Sequence, residues 1–160
     1  MLPSCHRNDP APYANSLGRY FTIEELTRSD AAERRGVPNT PAAGELAHLR
    51  ALVREILDPL REHLGRPIMI TSGFRSEAVN RAVNGSATSQ HRLGQAADFH
   101  VQGMTPAEIC QVIRDLKLPY DQLIEEFGSW VHVSYAPSQR RQFLLARKQN
   151  GKTVYLNGAA

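Results

Sequence analysis

The sequence predicts a single α+β domain in which helices pack around a mostly antiparallel sheet. Helical periodicity dominates the first 65 residues, whereas short β-branched runs separated by turn signals fill most of the remainder. Asn150-Gly151 between two apolar runs is the strongest hairpin signal in the chain. At 160 residues, 41% of them hydrophobic, the polypeptide is long enough to bury one core without staples.

Residues 1–19, with Pro3, Pro10 and Pro12, read as an irregular extension, and residues 20–160 as the folded domain. Thr22 followed by Glu25 is a capping-box signature, so a short helix begins there. Gly36-Val37-Pro38-Asn39-Thr40-Pro41 forms a connector. Between 42 and 64, Leu46, Leu49, Val53, Ile56, Leu57 and Leu60 recur at three and four and make one helical stripe. Pro59 should kink or end that helix locally, and Gly65 closes it.

Pro67 to Thr71 is a buried strand, Ser76 to Val83 a short helix ended by Asn84-Gly85, and Ala96 to Val101 a second strand. Thr105-Pro106-Ala107-Glu108 opens another helix with a cap, a first-turn proline and a capping box, running to about Leu116. Asp121 to Phe127 and Trp130 to Tyr135 are strands joined by a turn at Gly128-Ser129. The C-terminal hairpin spans about 142–156. No internal repeat or low-complexity segment is present.

Composition narrows the function. The net charge of +3 and a pI near 9.1 favour anionic surroundings such as bacterial wall polymer, acidic lipid or nucleic acid. Arginines are scattered rather than interleaved with aromatics, so no specific nucleic-acid partner is expected. The first 19 residues lack an apolar signal core and no segment approaches a membrane span, so synthesis in the cytoplasm without membrane insertion is expected. Cys5 and Cys110 form neither a disulfide framework nor a C-x-x-C pair; Cys110 reads as a small buried hydrophobe.

Chemistry concentrates in two blocks. Ser89-Gln90-His91-Arg92-Leu93-Gly94-Gln95-Ala96-Ala97-Asp98 and Trp130-Val131-His132-Val133-Ser134 offer two imidazoles and a carboxylate. Catalytic zinc usually takes three such ligands and leaves its fourth position to water. His91 sits on a turn. Strand alternation sets Asp98 and His100 opposite Phe99 and Val101, and sets His132 with Trp130 and Ser134 opposite Val131 and Val133. A carboxylate in an apolar strand needs a partner, because burying it alone costs several kcal/mol. The competing reading makes this an edge strand whose polar face meets water, and a lone His132 a satisfied structural residue. His100 ranks below the other three as a ligand.

A hydrolytic zinc site also needs a base, and Glu125 and Glu126 lie on opposite faces of one strand. A two-residue turn pairs position 125 with His132, whereas a three-residue turn pairs 124 with His132 and brings Glu126 onto its face. The sequence leaves both open. Arg75, at the mouth of a turn after the first strand, is a candidate oxyanion or carboxylate clamp, with a solvated arginine as the competing reading.

Taken in order, Thr71-Ser72-Gly73-Phe74-Arg75-Ser76, Ser89-x-His91-x-x-Gly94-x-Ala96-x-Asp98, Gln122-Leu123-Ile124-x-Glu126 and Trp130-x-His132-x-Ser134 resemble the zinc D-Ala-D-Ala carboxypeptidase superfamily. Its relatives include vancomycin-resistance D,D-dipeptidases, phage endolysins and hedgehog-type domains, and the likeness is nearest to the compact bacterial and prophage branch. It covers roughly Tyr20 to Leu156. The resemblance implies a hedgehog/D,D-peptidase-like fold with one Zn2+ held by His91, Asp98 and His132. It implies Glu126 as the base, through a Glu-x5-His spacing, and Arg75 as the group that polarises the scissile carbonyl. Ser89 and Trp130 are the implied substrate contacts. Some members carry His-x-His where this chain has Trp130-x-His132, so one auxiliary histidine is missing here.

The expected activity is hydrolysis of peptidoglycan stem or cross-link peptides containing D-amino acids, by a carboxypeptidase or an endopeptidase of endolysin type. The enzyme is expected to be a monomer acting in the bacterial cell wall or periplasm, released by a holin-like permeabilising partner. A non-catalytic zinc-binding wall or protein-interaction module of the same fold is the alternative.

Overall fold

The computed structural model describes residues 15–158. Cys5 and the rest of residues 1–14 lie outside the described residues, as do 159 and 160. Two short helices, α1 (Ile23–Thr27) and α2 (Asp30–Arg35), are followed by α3 (Ala43–Leu52), a π-helical turn (Val53–Leu57) and α4 (Asp58–Leu64). Strand β1 (Met69–Ser72), helix α5 (Glu77–Ala82), a 3₁₀ turn (Gln90–Leu93) and strand β2 (Ala96–His100) come next. Helix α6 (Pro106–Asp115) then precedes β3 (Gln122–Glu126), β4 (Trp130–Ser134), β5 (Gln142–Gln149) and β6 (Lys152–Asn157). The six strands form one sheet in the order β1-β2-β4-β3-β5-β6. The α+β expectation therefore holds.

Local chemistry accounts for the element ends. Capping boxes at Thr22–Glu25 and Thr105–Glu108 satisfy the first free N–H groups of α1 and α6. Gly36 and Gly65 end α2 and α4 in the left-handed conformation. The long predicted helix is continuous through Pro59, and the π turn explains how. Asp58 N–H reaches back five residues to the Val53 carbonyl, and the proline then sits in the first turn of α4, where its missing N–H costs nothing.

Asp58 does a second job, accepting from the backbone N–H groups of Arg19 and Tyr20 at 2.7 and 3.2 Å. Leu17 is buried, and Ser16 bridges to Thr22. Ordered packing thus begins before residue 20, inside the segment read from sequence as an extension; its pattern was too short to announce burial.

All strand pairs are antiparallel except β3 with β5. Parallel neighbours ordinarily need a long crossover. Here β4 has already returned the chain to the start of β3, so residues 135–141 suffice to step across it. Buried Asp121 pins that step: its carboxylate accepts from Ser138 Oγ and Arg140 N at 2.8 Å, and from Arg140 Nη2 at 2.7 Å. Hairpin β5–β6 turns at Asn150 and Gly151, both with positive φ (49° and 75°), as a tight Asn-Gly turn requires.

One face of the sheet carries Phe99, Leu123, Val131 and Val133 into the main core, against Leu49, Leu52, Ile56 and Leu60 of the helices and Ile109 and Ile113 of α6. Cys110 joins this core, and burial together with the charge of Glu125 pushes its thiol up to about 12. The opposite face carries Ile124, Leu144 and Ala146 as a small apolar floor beside polar groups. No helix among the described residues is long and apolar enough to cross a membrane.

Candidate metal centre and cleft

The polar face is assembled from three places. Asp98 and His132 are register partners on β2 and β4, two interior strands, so the edge-strand reading of Asp98 does not hold. His91 arrives from the 3₁₀ turn, and its own backbone N–H is capped by the Ser89 hydroxyl. Gly94 ends that turn with φ +72°, and a Cβ there would lie 2.4 Å from the Glu45 carbonyl oxygen. No other residue fits without moving the turn. All three side chains are buried, and one ligand atom from each lies within 4.8 Å of the others.

Partners fix which atoms face inward. His91 Nδ1 donates to the Gly73 carbonyl at 2.8 Å, which leaves Nε2, 3.3 Å from Asp98 Oδ1, for a ligand. His132 Nδ1 is 2.8 Å from the same Oδ1. The other carboxylate oxygen, Oδ2, is held by Arg75 Nη2 at 3.2 Å, while Arg75 Nε donates to Ser72 Oγ at 3.0 Å. Burial alone would raise the Asp98 carboxyl, but the two imidazoles and their hydrogen bonds hold it well below the ordinary carboxylate range. It is ionised at neutral pH.

The backbone behind these groups is equally constrained. In β1 the register slips between Ile70 and Ser72, a bulge that sets Ser72 opposite Asp98. Gly73 then passes so close to α1 that a Cβ would meet the Leu26 carbonyl oxygen at 2.2 Å. This contact places the carbonyl that orients His91. Arg75 N–H donates to the His91 carbonyl at 3.0 Å, closing the loop between the two motifs.

The donor set fits zinc. A tetrahedral ion with bonds of about 2.0–2.1 Å needs ligand atoms about 3.3 Å apart; the His91–Asp98 edge of 3.3 Å meets this and the His132–Asp98 edge of 2.8 Å needs a small opening. Two nitrogens and one carboxylate oxygen leave a fourth position open.

Hairpin register decides the neighbouring carboxylate. Ile124 pairs with His132 and Glu126 with Trp130 across a three-residue loop in which Phe127 and Gly128 have positive φ. Glu126 therefore shares the face of His132, whereas Glu125 points the other way, buried in an ion pair with Arg147. Burial raises the Glu126 carboxyl, and the nearby Asp98 charge adds to this while His132 and Arg75 act against it.

These groups line a cleft of about 540 Å³. Arg75, Ser89, Trp130 and Glu126 all border it, with His91, Asp98 and His132 at its floor. His100 is exposed and stands apart from the group, so it is no fourth ligand. Sequence reasoning missed four contributors. Gln90, next to His91, donates to Asp121 Oδ2 at 2.8 Å, so Asp121 ties the 3₁₀ turn to the β4–β5 connection. Tyr155 and Arg140, from beyond the recognised motifs, also border the cleft. Only long-range pairing brings them there, and no local spacing announces it.

Compared with curated proteins, the chain matches none. A family model described as Peptidase M15 matches residues 19–134, which include every one of these motif residues and stop short of the C-terminal hairpin. The ordered blocks, the His-Asp-His group and strands β1 to β4 all lie inside that match, and the chain belongs to the Peptidase M15 family of the zinc D-Ala-D-Ala carboxypeptidase-type superfamily.

Proposed function

We propose that this protein is a zinc metallopeptidase that hydrolyses peptidoglycan peptides containing D-amino acids, acting at the bacterial cell wall. One observation carries the reading most directly. A carboxylate kept basic by burial, Glu126, shares a strand face and a cleft with three convergent metal donors. A purely structural metal site is closed by a fourth protein ligand and has no use for such a base.

Zinc held by His91, Asp98 and His132 would supply Lewis acidity and make a water acidic enough to give up its proton near neutrality. Glu126 accepts that proton and later delivers it to the leaving amine. Arg75 is anchored through Nε and Nη2. A guanidinium has five N–H donors, so others remain for the scissile carbonyl oxygen as negative charge develops there. Ser89 is occupied in capping the turn that holds His91 and also borders the cleft, so substrate contact and ligand orientation meet in one hydroxyl. Trp130 forms one wall. The positive net charge favours approach to an anionic wall polymer.

The test is mass spectrometry of purified muropeptides after digestion, with and without chelator. New peptide fragments that vanish on chelation and return with zinc support the reading, and their masses identify the bond cut. Glu126→Gln should lower turnover by about 10²–10⁴-fold while zinc stoichiometry stays near one. Full activity in that variant would overturn the assignment of the base.

A further inference from the structure

Sheet register sets the cleft face out as transverse rows. Asp98, His132, Ile124 and Leu144 are consecutive partners across β2, β4, β3 and β5. The adjacent row runs Trp130, Glu126, Ala146 and Tyr155 across β4, β3, β5 and β6. Directly paired residues point to the same side of a sheet, so Trp130, Glu126 and Tyr155 stand on one face. Neighbouring strands are about 4.8 Å apart, which puts Tyr155 two strands, roughly 10 Å, from Glu126.

The residue between them is Ala146, fully buried and ending at its methyl. Tyr155 and Glu126 flank that alanine in register, and both residues border the same cleft. Tyr155 is 56% exposed. A large aromatic left that open on a strand is not spent on the core.

We propose that Tyr155 is a substrate-contacting residue that closes the cleft opposite Trp130, its hydroxyl donating a hydrogen bond to a backbone carbonyl of the peptide seated over Glu126. The inference rests on the peptidase reading, since the ligand is that reading's substrate. Burial, and next the negative charges of Glu126 and Asp98, raise the phenol above its ordinary range, so the hydroxyl remains a donor wherever the enzyme works. Tyr155 lies beyond residues 19–134, on the C-terminal hairpin.

Two measurements separate the inference from the reading beneath it. In steady-state hydrolysis of a pentapeptide muropeptide ending in D-Ala-D-Ala, Tyr155→Phe should raise KM about tenfold, as loss of one hydrogen bond does. Tyr155→Ala should raise it further, with zinc stoichiometry and melting temperature unchanged. In parallel, the same muropeptide is titrated onto zinc-loaded E126Q and E126Q/Y155F protein. Binding about tenfold weaker in the double variant supports the contact even if the wild type cleaves nothing, an outcome that would overturn only the catalytic reading. Equal binding by the two proteins, or binding by neither, overturns the role of Tyr155.

Discussion

Replacing Asp121 with Ala should be among the most damaging single changes outside the His-Asp-His group. The carboxylate is fully buried and accepts from Gln90 Nε2, Ser138 Oγ, and both the backbone and guanidinium of Arg140. Removing one partner of a buried ion pair costs about 3–5 kcal/mol. The Arg140 side chain is half exposed and recovers some hydration, which moves the expectation to the low end, about 3 kcal/mol. For a chain of this size that is a fall of about 6–12 °C in melting temperature.

The pH dependence has a definite sign. Burial alone would raise the Asp121 carboxyl, but its hydrogen bonds from Arg140, Ser138 and Gln90 hold it well below the usual range. Its stabilising effect is therefore complete above the unfolded value of about 4 and is lost as pH falls below it toward the depressed folded value. Thermal unfolding of wild type and Asp121→Ala, both with chelator, should diverge fully at pH 7 and converge as pH drops below about 4. A difference under about 0.5 kcal/mol at pH 7, the scale of an ordinary surface change, would refute the argument.

Two further outcomes follow from single positions. Gly94→Ala should destabilise by about 2–5 kcal/mol, combining about 1–2 for a left-handed non-glycine residue with about 1–3 for overlap at the Glu45 carbonyl. Chemical denaturation measures this, and hydrolysis should fall too because His91 rides on that turn. In a Cys5→Ser background, Cys110 should resist a thiol reagent at pH 8 while the protein is folded, because burial pushes its thiol up to about 12, and react fully once unfolding removes that burial. Rapid labelling of the folded protein would contradict its burial.

Elements with a local signature were legible in the sequence. Capping boxes fixed the starts of α1 and α6, the three-and-four stripe fixed α3 through α4, and Asn150-Gly151 fixed the last hairpin. The candidate donors Asp98 and His132 were legible because alternation sorted both onto polar faces. Glu125 and Glu126 were not separable locally, since one residue of turn length exchanges their faces; Phe127 in the left-handed region supplies that extra residue. The Asp121 network, the arrival of Tyr155 at the cleft, and the packing of Leu17 all depend on strand order or on contacts between distant segments. Pattern reading carries no information about either.

X-ray absorption at the zinc edge of the reconstituted protein tests the centre of the account most directly. Two imidazoles and light oxygen donors at about 2.0–2.1 Å, with no sulfur, are expected from the wild type. Loss of an outer hydrogen-bond partner alone costs about 10–100-fold in metal affinity. His91→Ala, Asp98→Ala and His132→Ala should each lose at least the upper end of that range. Wild-type zinc affinity in any of the three, or a sulfur donor in the spectrum, would contradict a metal shared by this His-Asp-His group.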